Sequence, residues 1–297
     1  MISPSRTACR ATVVIPTHDH GPTLSYALKS AQAQTVEDLE ILVIGDGVPD
    51  ETREIMAQAG AVDPRVRFLD HPKGPHRGEA YRHEALEQAR GAIVCYLSDD
   101  DLWLPNHVAA MEALLANADF AHALPLRMEV DGRLGGWSID FSLPWYRKDI
   151  LAGRNRIPLS CGAHRLDSYR RLPQGWRTTS LHADLYMWQC FLAMPGCRAV
   201  TSHSPTVLHF PSSRRKDWTM PQRVDELSRW SAKLRRDGWQ AQFTIDVLTY
   251  VSKERARWEA AYQQSPFRRL GRWLIDLPIA GTLARRIALR FYAPSRR

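Results

Sequence analysis

Over the first 120 residues, short continuous apolar runs alternate with segments whose apolar positions recur at helical spacing. Thr12–Ile15 in "ATVVIPTHDH" reads as a strand stopped by Pro16. "TLSYALKSAQAQ" places Leu24, Ala27, Leu28 and Ala31 on one helical face. "EILVIGDG" is a second strand closed by the turn pair Asp46-Gly47. "DETREIMAQAG" is a helix with acids in its first turn and Gly60 at its end. "RVRFLD" gives a third strand, and "GEAYRHEALEQARG" a helix closed by Gly91. "AIVCYLS" is a fourth strand, apolar throughout as a strand covered on both faces should be. "PNHVAAMEALLANA" follows as a helix with Pro105 near its first position.

This order predicts an α/β fold, a doubly wound, mainly parallel sheet flanked by helices. Ligands collect beyond the carboxyl ends of such strands. Three polar loops fall at that edge: "PTHDH", "GDG" and "SDDD". Residues 120–215 are less regular, with a helix in "HADLYMWQCFLAM", a strand in "RAVTSHSPTVLHF" and a basic loop in "PSSRRKDW". Residues 221–263 read as helical. The expected organisation is a domain over 1–218, with halves at 11–118 and 119–218, and a helical C-terminal region over 219–297.

Composition narrows the class. Apolar residues make up 44% and charged residues 24% of 297, ordinary for a soluble globular chain. The five cysteines are irregularly spaced and form no C-x-x-C pair, so neither a disulfide framework nor a zinc site is expected, and a cytoplasmic setting is. No apolar run reaches the roughly 18 residues of a membrane span, and the N-terminal apolar segment is too short for a signal peptide. Of the net charge of +8, residues 265–297 carry +7, with eight arginines and Asp276. The nearly neutral body argues against nucleic acid as a partner. The tail mixes those arginines with Trp273, Leu274, Ile275 and Phe291, which suits a helix lying on the anionic inner face of a membrane. A helix docked on the domain, or an oligomer contact, fits it equally well.

The concentrated chemistry lies in "YLSDDDLWLP". Asp99, Asp100 and Asp101 follow a core-type strand, and three adjacent carboxylates repel one another unless a cation compensates them. A helix N-terminus explains one such acid but not three. A hard divalent cation, Mg²⁺ or Mn²⁺, explains the run. By itself Asp46 is turn chemistry, and His18, Asp19 and His20 line an ordinary solvated loop.

In order, "VVIPTHDH", "QTVEDLEILVIGDGVPDET", "AYRHEALEQARG" and "VCYLSDDDLWLPNHV" resemble family 2 glycosyltransferases, inverting enzymes of GT-A fold. The resemblance covers residues 11–110 and continues more weakly to about 210. It implies that Pro16, Thr17 and His18 hold the nucleoside of a nucleoside-diphosphate sugar, a UDP-sugar by preference. Asp46 would read the base edge, although Gly45 replaces the first acid of the family's usual pair. Arg77 and Arg82 would reach the diphosphate, His83 standing where the family has Asn. Asp99 would face the ribose and Asp100 the divalent cation, with Asp101 a ligand or a group supporting the ligands from behind, and His209 a third ligand, a diphosphate contact or a core residue. Asp184 would be the general base, with Ala183 in place of a Glu, and Trp176 and Trp188 would bound the acceptor. Arg214, Arg215 and Lys216 would close over the diphosphate or form a solvated charge run. The implied activity is sugar transfer to a saccharide or lipid-linked hydroxyl acceptor in cell-surface polysaccharide or glycolipid synthesis. The competing readings are a nucleotidyltransferase, which would need a Gly-rich basic loop where "PTHDHGPT" stands, and a non-catalytic binding or membrane-adaptor protein.

Overall fold

The structure is a computed structural model that describes residues 8–136, 139–177 and 183–264. Its elements in chain order are β1 (Cys9–Thr17), α1 (Gly21–Gln32), β2 (Leu39–Asp46), α2 (Asp50–Val62), β3 (Val66–His71), α3 (Glu79–Glu87), β4 (Gly91–Tyr96) and β5 (Leu102–Trp103). There follow α4 (His107–Leu115), β6 (Phe120–Met128), β7 (Leu134–Gly135), α5 (Pro144–Leu151), β8 (Gly162–Arg165), α6 (Leu166–Arg170), α7 (Ala183–Ala193), β9 (Ala199–His209), α8 (Met220–Leu234) and α9 (Trp239–Gln264).

The described strands form one sheet in the order β3-β2-β1-β4-β8-β6-β9-β5, with β7 paired to β6. β3, β2, β1 and β4 are mutually parallel. β8 runs antiparallel between β4 and β6, and β9 pairs parallel with β6. Val13, Val14, Ile15, the run Ile41–Ile44, and Val94 to Tyr96 are all buried. Such side chains are withdrawn from water on both sheet faces, at about 1.5–3 kcal/mol each, so these strands read as unbroken apolar runs.

Parallel register aligns the strand ends. Thr17 lies opposite Gly45, and Asp46 opposite His71. The three polar loops therefore meet at one edge. Two local expectations need correction. Pro16 lies within β1, paired with Ile44; β4 last pairs with β1 at Val14, so the missing N–H interrupts no ladder on that side. Gly91 opens β4 instead of capping α3, because a Cβ there would stand 2.2 Å from the Thr12 backbone nitrogen.

The domain boundary also shifts. The chain divides into compact units after Trp239, not at 218. α8 belongs to the first unit and packs against α1. The described part of the second unit is the remainder of α9, to Gln264. The basic tail, 265–297, lies outside the described residues. Among the described residues, no helix is long and apolar enough to cross a membrane.

Candidate active site

A cavity of about 590 Å³ opens at the carboxyl ends of β1, β2 and β4. Pro16, Thr17, His18, Asp46, Arg77 and Arg82 line it. So do Asp99, Asp100, Asp184 and His209. Residues distant in sequence thus converge on a site of the size that small-molecule ligands occupy.

At one end Asp46 is held on both oxygens. The Gly74 N–H donates to Oδ1 at 2.6 Å, and Lys73 Nζ donates to Oδ2 at 2.6 Å. His18 Nδ1 donates to the Asp46 carbonyl oxygen at 2.5 Å. Lys73 opens the "KGPHRG" loop expected near the diphosphate, but nothing except its charge singled it out in the sequence. Gly78, the residue before α3, has φ of 65°, and a Cβ there would lie 2.8 Å from Asp46 Cγ. Both the left-handed backbone and the close approach require glycine.

α3 delivers Arg82, whose Nη2 donates to the Arg77 carbonyl oxygen at 3.1 Å. Its guanidinium lies 4.9 Å over the Trp176 ring. Burial holds its proton affinity below the ordinary arginine range, against the pull of Glu79 and Asp184. Arg82 Nε and Thr17 Oγ1 are buried at this site without hydrogen-bond partners.

The acceptor-wall expectation for Trp176 and Trp188 is corrected. They are 1% and 0% exposed, and neither borders the cavity. Trp176 Nε1 donates to the Tyr96 hydroxyl at 2.7 Å, and that hydroxyl donates to His164 Nε2 at 2.7 Å. Trp188 Nε1 donates to the Ile157 carbonyl oxygen at 3.0 Å, and its ring stacks on Phe120. Large rings with satisfied N–H groups are core elements here. Trp176 serves the site indirectly, as the surface beneath Arg82.

The three aspartates separate in role. Asp101 is fully buried and outside the cavity lining, so of its two expected places it is not a direct ligand but a group supporting the acids and His209 from behind. It accepts from Ser160 Oγ at 2.5 Å, the Phe210 N–H at 2.8 Å and His209 Nδ1 at 3.1 Å. Burial opposes its charge, but His209 and these hydrogen bonds more than offset it, so the carboxyl titrates below the usual range. Asp101 therefore pins the turn between β4 and β5 to the end of β9. Asp100 faces the cavity and accepts from Ser212 Oγ at 2.7 Å and Arg223 Nη2 at 3.3 Å. Burial, with Asp101 and Asp99 beside it, raises its pKa to about 6.

His20 bridges Asp99 and Arg223. Its Nδ1 donates to Asp99 at 3.1 Å, and its Nε2 accepts from Arg223 Nη1 at 2.8 Å. Asp99 draws the imidazole pKa up to about 8, whereas Arg223 requires Nε2 to accept. A neutral ring donating from Nδ1 satisfies both hydrogen bonds, and these fix the tautomer. Arg223 comes from α8 and escaped sequence reasoning, since no motif surrounds it. Arg215 does not close over the cavity. It is buried in an ion pair with Glu226 at 2.5 Å and donates to the Met128 carbonyl oxygen.

Among the described residues, no group of three His, Cys, Asp or Glu side chains is placed to hold a metal ion. Asp100 nevertheless carries an under-compensated buried charge, with Asp99 and His209 lining the same cavity. These are the side chains that would hold Mg²⁺ or Mn²⁺ were such an ion bound here. Asp184, the second residue of α7, accepts from the Leu185 N–H at 2.9 Å and lines the cavity together with the Asn155–Leu159 segment.

Residues 12–170 match the family described as Glycosyl transferase family 2. A Campylobacter jejuni GalNAc(5)-diNAcBac-PP-undecaprenol beta-1,3-glucosyltransferase is 30% identical over 144 residues, 47% of this chain and 44% of that protein. An Escherichia coli UDP-Glc:alpha-D-GlcNAc-diphosphoundecaprenol beta-1,3-glucosyltransferase, WfgD, is 29% identical over 97 residues, 32% of this chain and 36% of its own. The match thus spans less than half of either relative. Staphylococcus aureus TarS 1–349 in complex with UDP-GlcNAc superposes with a TM-score of 0.53 at 16% identity, covering 89% of this chain and 78% of that one. The likeness is to GT-A glycosyltransferases, in agreement with the sheet expected from the sequence.

Proposed function

Because the chain belongs to glycosyltransferase family 2, we propose that it moves a sugar from a nucleoside-diphosphate donor, UDP-linked by preference, to a hydroxyl of a lipid-linked saccharide. Transfer inverts the anomeric centre. The observation that carries this reading is the pairing of two orphaned buried polar atoms, Thr17 Oγ1 and Arg82 Nε, with the Asp99–Asp100 acids around one cavity. Unmade buried hydrogen bonds cost about 1–3 kcal/mol each, so the site is built to be completed by a ligand rich in acceptors.

In this reading His18 and Lys73 border the base, and Lys73 takes over the contact expected of Asp46, whose carboxylate it occupies. Arg77 and Arg82 bind the diphosphate. Asp184 removes the acceptor proton as the hydroxyl oxygen attacks the anomeric carbon. A divalent cation held at Asp100, beside Asp99 and His209, would supply positive charge against the departing diphosphate. The lipid-linked acceptor follows the undecaprenol-linked substrates named for the two relatives.

The test is a thermal-shift panel of UDP, GDP and dTDP and their sugars, with and without Mn²⁺. A ligand bound only by the folded state raises the melting temperature. UDP is expected to give the largest rise, enhanced by Mn²⁺. Indifference to the whole panel would remove the proposal.

A further inference from the structure

α5 exposes large apolar side chains, and the chain that follows it lines the cavity. Trp145 is 56% exposed and Leu151 42% exposed, with the exposed Lys148 between them at a spacing of three. The opposite side of the helix is fixed. Ile150 is fully buried, Arg147 donates to the Leu192 and Cys197 carbonyl oxygens, and Gln189 Nε2 donates to the Ile150 carbonyl oxygen at 2.9 Å. Leu192 and Gln189 belong to α7, the helix that begins with Ala183 and Asp184. α5 is thus fastened to the element that carries the proposed base.

The chain leaving α5 runs directly to the site. Gly153 has φ of 92°, and after it Asn155, Arg156, Ile157, Pro158 and Leu159 line the cavity. Apart from Arg147, which is turned toward α7, residues 142–156 contain Lys148, Arg154 and Arg156 against the single acid Asp149. Arg154 remains exposed even while it bonds Asp149. An exposed Trp and Leu interleaved with basic residues is the composition that settles at a headgroup boundary: the rings and aliphatic chains enter it and the cations meet anionic lipid.

We propose that the outer face of α5, with Arg154 beyond it, is a membrane-contact surface that seats the cavity against an anionic leaflet and so presents Asp184 to an acceptor anchored there. This rests on the lipid-linked acceptor reading above and deepens it. It assigns a contact to α5, in addition to any that residues 265–297 make. The occupant is the lipid surface, because the net positive charge of the segment complements anionic headgroups.

Flotation of the full chain with vesicles of phosphatidylcholine containing 30% phosphatidylglycerol tests it. Wild type is expected to float with these vesicles and much less with phosphatidylcholine alone. The double variant W145S/L151S is expected to lose about tenfold in bound fraction, with its melting temperature and its UDP-induced thermal shift unchanged. Flotation of the double variant at the wild-type level would overturn the proposal, as would failure of wild type to float. So would sedimentation showing that W145S/L151S dissociates a dimer, since the face would then belong to a second copy. Loss of flotation in the double variant, with no UDP response even in wild type, would sink the donor reading and leave the membrane surface standing.

Discussion

Arg223 and Asp100 form an ion pair of 3.3 Å across 123 residues of chain, and the same guanidinium donates to His20. A helix from beyond the family-matched segment therefore supplies the positive charge behind the acidic turn. Replacing Arg223 by Met removes the cation from a buried carboxylate that already titrates near 6, and raises its proton affinity further. R223M is expected to lower kcat/KM about 10- to 100-fold and to move the acid limb of its pH profile upward, while R223K recovers part of the loss. An unshifted pH profile in R223M would exclude this role.

Asp184 sits at the start of α7, lining the cavity. Asp184→Asn keeps the shape and removes the basic oxygen. Transfer is expected to fall by about 10²- to 10⁴-fold, with the UDP-induced thermal shift retained. Full turnover in the variant would refute the assignment and favour a non-catalytic or differently based site.

Gly78 separates two reasons for a glycine. Gly78→Ala meets both a left-handed backbone and the Asp46 side chain, whereas Gly132→Ala meets only the left-handed backbone, with open space around it. Each substitution costs about 1–2 kcal/mol of stability from the backbone. Only Gly78→Ala is expected to weaken UDP binding, by about tenfold or more, as measured by calorimetry, because it displaces Asp46 and the start of α3. Equal donor affinity in the two variants would show that the close approach is relaxed at no cost to the site.

Three buried histidines set the acid stability. Burial lowers the pKa of His107 to about 3, and of His122 and His164 to about 4, below the ordinary 6.5. Between pH 6.5 and 4 the unfolded chain binds protons that the folded chain does not, so stability rises with pH and is lost as pH falls through this window. Each histidine contributes at most about 1.4 kcal/mol per pH unit. Chemical denaturation at pH 7, 6, 5 and 4 is expected to show a decline below pH 6 that approaches roughly 3 kcal/mol per unit, because Asp100, raised to about 6, binds a proton in the fold before the unfolded chain does and offsets one of the three histidines. A flat profile from pH 7 to 4 would mean that these rings are already charged in the fold.

Local chemistry made the parallel half of the sheet legible. The runs in β1, β2 and β4 are apolar because helices cover both faces, and the loops beyond them carry the polar residues that must stay outside the core. Placing Asp46, Arg82, Asp99 and Asp100 together took the resemblance to family 2 glycosyltransferases, since by local chemistry alone Asp46 is a turn residue and Arg82 a charge on a helix face. The resemblance failed for Trp176 and Trp188, because an aromatic near a site motif looks the same whether its N–H meets a substrate or, as here, Tyr96 and the Ile157 carbonyl.

By itself, then, the sequence determined the α/β class and the edge at which the polar loops meet, since strand periodicity and parallel register bring strand ends together. Tertiary structure alone decided which acid faces the cavity and which is sealed, since Asp99, Asp100 and Asp101 are chemically identical neighbours. Asp101 is turned inward by donors from Ser160, His209 and Phe210, and Asp100 is met by Arg223, all of them distant in sequence. Hydrogen bonds and ion pairs depend on positions in space, and no local pattern encodes the meeting of groups a hundred residues apart.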